Sequence, residues 1–589
     1  MTAKLVATLC LCLAASAAAQ ASVEISSAPT SNVNCTGGVC TPTAKMAVLN
    51  TGDLATMLAA GDVTVTTGNG AQTITVVNAL TWANASRLTL DADLTVSFKA
   101  ALVVEGPGAL TITYDGGKHG AGDLLFFPGG HADFWDLSSS LVILGRSYRL
   151  IPDVDTLARD LHVNPDGRYA LAADFDSAGR VYKHSPMPDQ FHGAFEGLGH
   201  TIANFKLRAA AGTTRTQFGL FLVNAGTIRD LALTGAQVQT RCQGQQVAAL
   251  VATNWNLIRN VSVGADVSGG TGSTSGEGIG AVVGDNKGTV ANAHSSGSVK
   301  DCNDVSSTDL ALWAGGLVGE NDGTVTASDS SSTLEGGLAG GLVGANAGTI
   351  QNSHASGTVT VGDVMDIQHG QEAGGLSGTN SGTILQSYAT GAVTGGNGML
   401  QGSDAVRVLA GGLTAVGVGS IEQSFATGSV HTGDLSYAGG LGAAFGGTMQ
   451  DSYATGAVAA GADSSGAGGL IGWAGDSARV TASYSTGAVS FAAPGARGSR
   501  RGVAADLGGF LGVEDGASVV LKHDIWDTDT SGVTDLSKGV GNIAGAPGVN
   551  GRTTAALQAG LPTGFDAAVW GEKPSINNGL PYLLANPPE

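Results

Sequence analysis

A unit of fixed internal spacing recurs from about Leu220 to Val489, and it restricts the fold more than any other property of the chain. It reads A-G-G-L-x-G-x-N-x-G-T-[IV]-x-x-S-[YFH]-A-[ST]-G-x-V. Full starts occur at Ala314-Gly315-Gly316-Leu317-Val318-Gly319 and Ala339-Gly340-Gly341-Leu342-Val343-Gly344; others begin at Ala373, Ala410, Ala438 and Ala467. A unit this short cannot bury its apolar side alone, so copies must stack as a solenoid.

Aligned on one apolar position, the series runs Leu220, Leu250, Val282, Leu317, Leu342, Leu376, Leu413, Leu441, Leu470 and Phe510. The shortest step, Leu317 to Leu342, is 25 residues, and the longest, Leu470 to Phe510, is 40. Distances inside the unit barely move. Four residues on stand Asn224, Asn254, Asn286, Asn321, Asn346 and Asn380, and eight residues on Ile228, Ile258, Val290, Val325, Ile350, Ile384, Ile421 and Met449. Twelve on, most later units carry His294, His354, Tyr388, Phe425 or Tyr453; seventeen on come Val299, Val359, Val393, Val430 and Val458. A frame of ~18 residues must therefore keep register with its neighbours, while the remainder only returns the chain.

This pattern predicts a right-handed parallel β-helix with about one coil per repeat and two or three short strands in each coil. Leu, Ile and Val fill the tube. The Gly pairs let adjacent coils approach closely. The Asn row is expected to take left-handed geometry at a corner and to hydrogen-bond from coil to coil. Tyr388, Phe425 and Tyr453 stack along one edge, with His294 and His354 in the same row. Helical repeats are excluded by the 93 glycines, which would destabilise helices. A propeller blade needs about four strands, more than these units supply.

The rest of the chain divides around the repeats. Residues 1–21 read as a secretory signal peptide, with Lys4 before the apolar run Leu5 to Ala15 and small-x-small cleavage sites at Ala17–Ala19 and Ala19–Ala21. Residues 22–150 read as irregular β-helix coils. Residues 151–208 read as an adaptor with a short helix near 155–163 that stops at Asn164-Pro165-Asp166-Gly167. The regular repeat array itself spans 209–500, and 501–589 holds a degenerate last repeat and a C-terminal cap.

The formal net charge of −20 argues against nucleic acid, since phosphate binding needs a basic face. No stretch after the signal peptide is apolar and long enough to span a bilayer. Four cysteines remain in the exported chain. Cys35 and Cys40 flank a Gly-Gly turn and are expected to pair, while Cys242 and Cys302 lie in return segments and their pairing stays open.

The G-G-L-x-G-x-N-x-G-x-[IV] unit resembles the GLUG motif of bacterial surface proteins. Tyr169–Asp176 and Phe191–His200 resemble the segments that lead into such arrays in filamentous haemagglutinin-like exoproteins. Ile525-Trp526-Asp527-Thr528-Asp529-Thr530-Ser531-Gly532 and the stretch from Trp570-Gly571 to Pro581-Tyr582-Leu583-Leu584 resemble segments that close them. The resemblance implies a secreted or surface-displayed adhesin-type protein, with an outer-membrane secretion partner.

Residues able to do chemistry are few. Asp174 and Asp176 alternate on a strand and so share one side, ~7 Å apart, a separation compatible with acid/base pairing. The expected role is a strand end. His192 and His200 flank a Gly-rich turn without a third ligand nearby and are expected to be structural. Asp527, Asp529, Ser531 and Asp535 partly match a calcium loop, but Lys538 stands where a bidentate Glu is needed, so a cap turn is expected. Arg497, Arg500 and Arg501 form the densest basic cluster, expected to be a solvated loop.

No catalytic, cofactor-binding or other metal site is expected. The function expected is non-enzymatic binding of host-cell, matrix or glycan ligands through the return segments 301–313, 361–372, 394–409 and 490–506. A carbohydrate-active enzyme (polysaccharide lyase or hydrolase) on the same scaffold, and a structural surface or biofilm spacer, are the alternatives.

Overall fold

The computed structural model describes residues 21–588 apart from 69–70, 116–121, 242–244, 271–276, 303–311, 366–369, 402–403, 462, 464–465 and 493–505. The signal-peptide segment, Cys242, the arginine cluster at 497–501 and parts of all four long return segments lie outside the described residues. The chain forms two compact units.

The first unit comprises the chain up to Pro152, with Arg168–Ala173 and Gly197–His200. Its short strands stack parallel and in register: Val63 against Leu88, Leu88 against Leu110, Leu110 against Leu141. Alternate residues point inward, and Ile25, Ile74, Val96, Phe98 and Leu110 are fully buried in one core. The strand pattern hides one helix, α1 (Thr51–Ala60). The Asn50 side chain accepts from Gly52 N and Asp53 N to cap it, and Leu54 and Leu58, one turn apart, face the core. Cys35 and Cys40 are joined by a disulfide across an antiparallel hairpin, whose Gly37 and Gly38 take the positive φ the turn requires. Gly199 also has positive φ, and a Cβ there would lie 2.4 Å from Gly130 O.

The second unit holds Asp153–Gly167, Asp174–Glu196 and Thr201 onward, so the segment 151–208 is shared between the two units. Helix α2 (Val154–Val163) lies where expected, capped by Asp153 and burying Leu157 and Leu161. Beyond it the chain winds into stacked coils. Each coil contributes to three parallel sheets. The first sheet has ten strands in chain order, from Gln217–Phe218 to Asp506–Gly508. The second has eleven, from Met187–Phe191 to Leu511–Asp515. The third is the flank that follows the Asn row. This is a parallel β-helix, almost entirely β. Among the described residues no helix is long and apolar enough to cross a membrane.

One coil shows how the frame works. Its strands are Leu338–Gly340, Val343–Asn346, Thr349–Gln351, His354–Ala355 and Val359–Val361. There are five pieces rather than two or three, because the third flank is broken twice. The first break is Asn352 at φ 50°. The second is Gly357, whose missing side chain lets the coil below come within 1.8 Å of where a Cβ would stand. In three lower coils the same flank is one continuous strand, Thr227–Gln239, Leu257–Ser268 and Thr289–Lys300.

The Asn row forms the expected buried ladder. Each Nδ2 donates to the next Oδ1 at 2.7 Å, from Asn224 through Asn254, Asn286, Asn321 and Asn346 to Asn380. The expected left-handed geometry is not there. It belongs to a row six residues further on: Asp230, Asn260, Asn292, Ala327, Asn352, Gln386, Gln423 and Asp451 all have φ near 50°. The Asn ladder sits in extended strand, where the buried amide satisfies its neighbours, and the tight corner falls where the chain turns within the third sheet.

The glycines act through close approach. A Cβ on Gly340 would lie 1.9 Å from Val343 O and 2.4 Å from Gly378 N, and one on Gly341 would lie 2.0 Å from Gly375 O and 3.0 Å from Ala355 Cβ. The second Gly thus faces the residue after the ring position, Ala355, Ala389, Ala426 and Ala454 for Gly341, Gly375, Gly412 and Gly440 and Ser330 and Ser485 for Gly316 and Gly469, which explains why that residue is small.

Candidate functional site

The third sheet alternates on each side of its left-handed corner, Gln386: Ile384 in, Leu385 out; then Ser387 in, Tyr388 out, Ala389 in. Two local features aim the aromatic side chain outward. The left-handed residue before the serine turns the chain. The serine then bonds inside: Ser353 N donates to Ser387 Oγ, Ser387 N to Ser424 Oγ and Ser424 N to Ser452 Oγ, at 3.2–3.3 Å. Ser387 Oγ donates back to Leu385 O at 2.8 Å.

The outward rings make a continuous stack. Centroids are 4.7 Å apart from His354 to Tyr388 and again to Phe425, then 4.8 Å to Tyr453 and 5.0 Å to Tyr484. All four pairs are within 7° of parallel. Below His354 the row continues through Asp329 to His294, which are ion-paired. The hydrogen bond to Asp329 holds the His294 imidazole above its ordinary range, outweighing desolvation. His294 and His354 thus share the row, as expected, but only His354 stacks on a ring.

The C-terminal segment lies over the upper rungs of this stack. Helix α3 (Thr554–Leu557) and the antiparallel pair Trp570–Gly571 and Tyr582–Leu583 put Leu557, Phe565, Trp570, Leu580 and Leu583 into one apolar cluster with Phe425, Tyr453 and Tyr484. Asn577 Nδ2 donates to Tyr484 Oη at 2.8 Å, and Tyr484 donates to Pro581 O at 2.6 Å. Asn586 Nδ2 donates to Gln423 O at 3.3 Å. Phe425, Tyr453 and Tyr484 are buried; Tyr388 and His354 remain half-buried. The sequence pattern showed the stack but not its cover. A row of large rings pointing out of a solenoid needs one, and Leu557, Phe565, Trp570, Leu580 and Leu583 supply it.

A second outward row was not anticipated. On the first sheet Trp313, Leu338, Glu372, Leu409 and Tyr437 are in register. Trp473 of the second sheet stacks on Tyr437 at 6.0 Å, and the Arg407 guanidinium lies 5.0 Å from the Tyr437 ring centre. Glu372 is the acidic member of this apolar row, and burial pushes its carboxyl up to about 7.

The residues singled out for chemistry are tied into turns. Asp174 Oδ1 accepts from Thr201 N, and Asp176 Oδ1 from Ala178 N and Asn204 Nδ2, all at 2.8 Å. Those hydrogen bonds hold Asp176 below the usual carboxylate range. His200 is buried in the first unit with Nε2 2.9 Å from Ala132 O, whereas His192 is exposed and belongs to the second. Asp527 accepts from Asp529 N and Thr554 Oγ1, Asp529 from Thr554 N, and Asp535 from Ser537 N. Ser531 Oγ accepts from Val533 N. These contacts build the cap turn. No group of three metal-ligating side chains occurs among the described residues. Cys302 is also disulfide-bonded, to a partner outside the described residues.

A carboxyl pair that the sequence did not flag lies lower in the array. Asp230 is hydrogen-bonded to Glu196, Arg229 and Asn260, and its desolvation raises its pKa against the pull of Arg229. Glu196 is 2% and Asp230 4% exposed, so the pair is closed to a substrate and ends the corner ladder Asn292–Asn260–Asp230.

Comparison with known proteins agrees with the coil motif. The GLUG motif is matched over residues 335–360. No curated protein matches the chain. Among solved structures, the chain is similar to a Bacteroides ovatus protein described as a "putative immunoglobulin A1 protease", at 14% identity and a TM-score of 0.25, over 75% of this chain and 93% of that one. The chain is a β-helical protein that carries a GLUG motif at residues 335–360.

Proposed function

We propose that this chain is a non-enzymatic, exported adhesin-type protein, akin to the filamentous haemagglutinin-like exoproteins, that binds host-cell, matrix or glycan ligands along its coils. The observation that carries the reading is where the irregular segments attach. Each leaves the third sheet and enters the first: 396–407 runs from Val393–Gly395 to Val408–Gly411, and 432–435 from Val430–His431 to Ser436–Gly439. One of them carries a hairpin, Met399–Gln401 with Asp404–Val406. A fixed frame with variable segments repeated at one edge offers many weak contacts that add by multivalency.

The test is adherence of the full chain to epithelial cells and to immobilised collagen, fibronectin and mucin. Saturable binding to at least one surface is expected. Failure on every surface would leave a spacer role.

A further inference from the structure

We propose that Glu372 is a pH-operated latch on the first sheet: with its carboxyl protonated it holds down the strands in which the return segments 361–372 and 394–409 end, and loss of that proton loosens them. The latch is read without a ligand; its consequence for binding rests on the proposal that the return segments carry recognition.

The position is defined by register. Glu372 pairs with Leu338 in the coil below and Leu409 in the coil above, in an outward row that continues to Trp313 and Tyr437. Its amide donates to Gly337 O at 2.9 Å, and Val408 N, beside Leu409, donates to Leu435 O at 3.2 Å. Glu372 thus stands where one return enters the sheet, in register with the residue where the next one does. The two returns are also tied to each other before they reach it. Val364 N donates to Asn397 O at 2.8 Å and Gly396 N to Val361 O at 3.1 Å. Asn397 N and Nδ2 both donate to Asp363 Oδ1, at 2.7 and 3.0 Å.

A carboxyl does not suit such a row. Glu372 Oε2 is buried and has no hydrogen-bond partner among the described residues. The strands packed against it are Leu338–Gly340, Val359–Val361, Ser377–Asn380, Val393–Gly395, Val408–Gly411 and Thr414–Gly417, and none of them carries an ionisable side chain. Of the other charged groups on the two returns, Asp363 is bonded to Asn397 and Arg407 lies over the Tyr437 ring. Asp366, His369 and the Asp404 side chain lie outside the described residues. A leucine, as in the coils above and below, would fit the row at every pH, whereas a buried unpaired anion costs far more than its neutral acid.

The proton favours the closed strand. Burial raises the folded pKa of Glu372 to about 7 from 4.5, and a loosened strand returns the carboxyl to water and to its ordinary range. Below the lower value both states hold the proton and the latch stays closed. Between the two values the equilibrium for opening rises about tenfold with each pH unit, and above the upper value it is flat. Deprotonation therefore acts on the strand edge that holds the carboxyl, while coils whose outward rows carry no buried acid have nothing to release.

The experiment is hydrogen exchange read by mass spectrometry on the full chain at pH 5 and pH 8, corrected for the pH dependence of the chemical exchange step. Protection of peptides covering Glu372 and Val408 should fall by on the order of a hundredfold at pH 8, while the third-sheet strand Thr383–Leu385 keeps its protection. Glu372→Gln should hold the protection at both values, and Glu372→Leu serves as a second variant should the amide perturb the row. The latch is overturned if the parent is equally protected at both values, if both variants still lose protection at pH 8, or if the loss is spread evenly over the coils. No ligand is present in this measurement, so a chain that adheres to no surface still shows the latch or lacks it.

Discussion

The indole Nε1 of Trp570 lies 2.9 Å from a carboxylate oxygen of Asp451, across 119 residues of chain. Asp451 is a left-handed corner residue of its coil, so this hydrogen bond ties the covering segment to a corner side chain of the coil. Trp570 also packs against Tyr453 and Tyr484, at centroid distances of 6.0 and 5.8 Å. Trp570→Ala should cost ~3–5 kcal/mol locally. Hydrogen exchange should show lost protection at coils 425 to 484, with coils below 354 unchanged.

Tyr453 and Tyr484 are stacked neighbours with opposite needs. The Tyr484 hydroxyl has two partners, Pro581 O and Asn577 Nδ2. The Tyr453 hydroxyl is buried with none among the described residues. Tyr484→Phe should therefore destabilise by ~1–2 kcal/mol, and Tyr453→Phe should be neutral or stabilising by ~1 kcal/mol. Urea denaturation of the two variants checks the contrast, and a loss at Tyr453→Phe equal to that at Tyr484→Phe would refute it.

The glycine rule can be tested at two sites. Gly341→Ala would put a methyl 2.0 Å from Gly375 O, while Gly362→Ala meets nothing within 4 Å. The first should destabilise by ~2 kcal/mol or more, and the second should stay within ~0.5 kcal/mol. Thermal unfolding should separate them.

Glu372 gives the fold a pH dependence. Burial raises its folded pKa to about 7 from 4.5, so between those values the folded state holds a proton that the unfolded chain releases. Stability contributed at this position falls as pH rises through that window and is flat above it. Glu372→Gln should therefore raise the melting temperature at pH 8 and leave it nearly unchanged at pH 4. An equal effect at both values would contradict the buried, shifted carboxyl.

The repeat made the coil legible because its constraints are local: a ladder at Asn224–Asn380, inward Ile and Val, and rings that stack at one position. The left-handed row was missed because φ near 50° is carried here by Asn, Gln, Asp and Ala alike, so no residue type marks it. Helix α1 was missed because its ten residues are flanked closely by strands, although the Asn50 cap and the Leu54/Leu58 spacing mark it. The cover over the rings was missed because sequence order gives no hint that Trp570 meets Asp451. The sites weighed for chemistry resolved into turns because short acidic side chains next to backbone amides bond them first.

The central claim is that a constant frame carries the fold and the return segments carry recognition. The direct measurement replaces residues 396–407 with the short return Thr432-Gly433-Asp434-Leu435 and follows both stability and adherence. The replacement should leave the circular dichroism and melting temperature near those of the parent. Adherence to whichever surface the parent binds should fall, further as other long returns are shortened in turn. Parent-level adherence after all the long returns are shortened, or unfolding on the first replacement, would contradict the account.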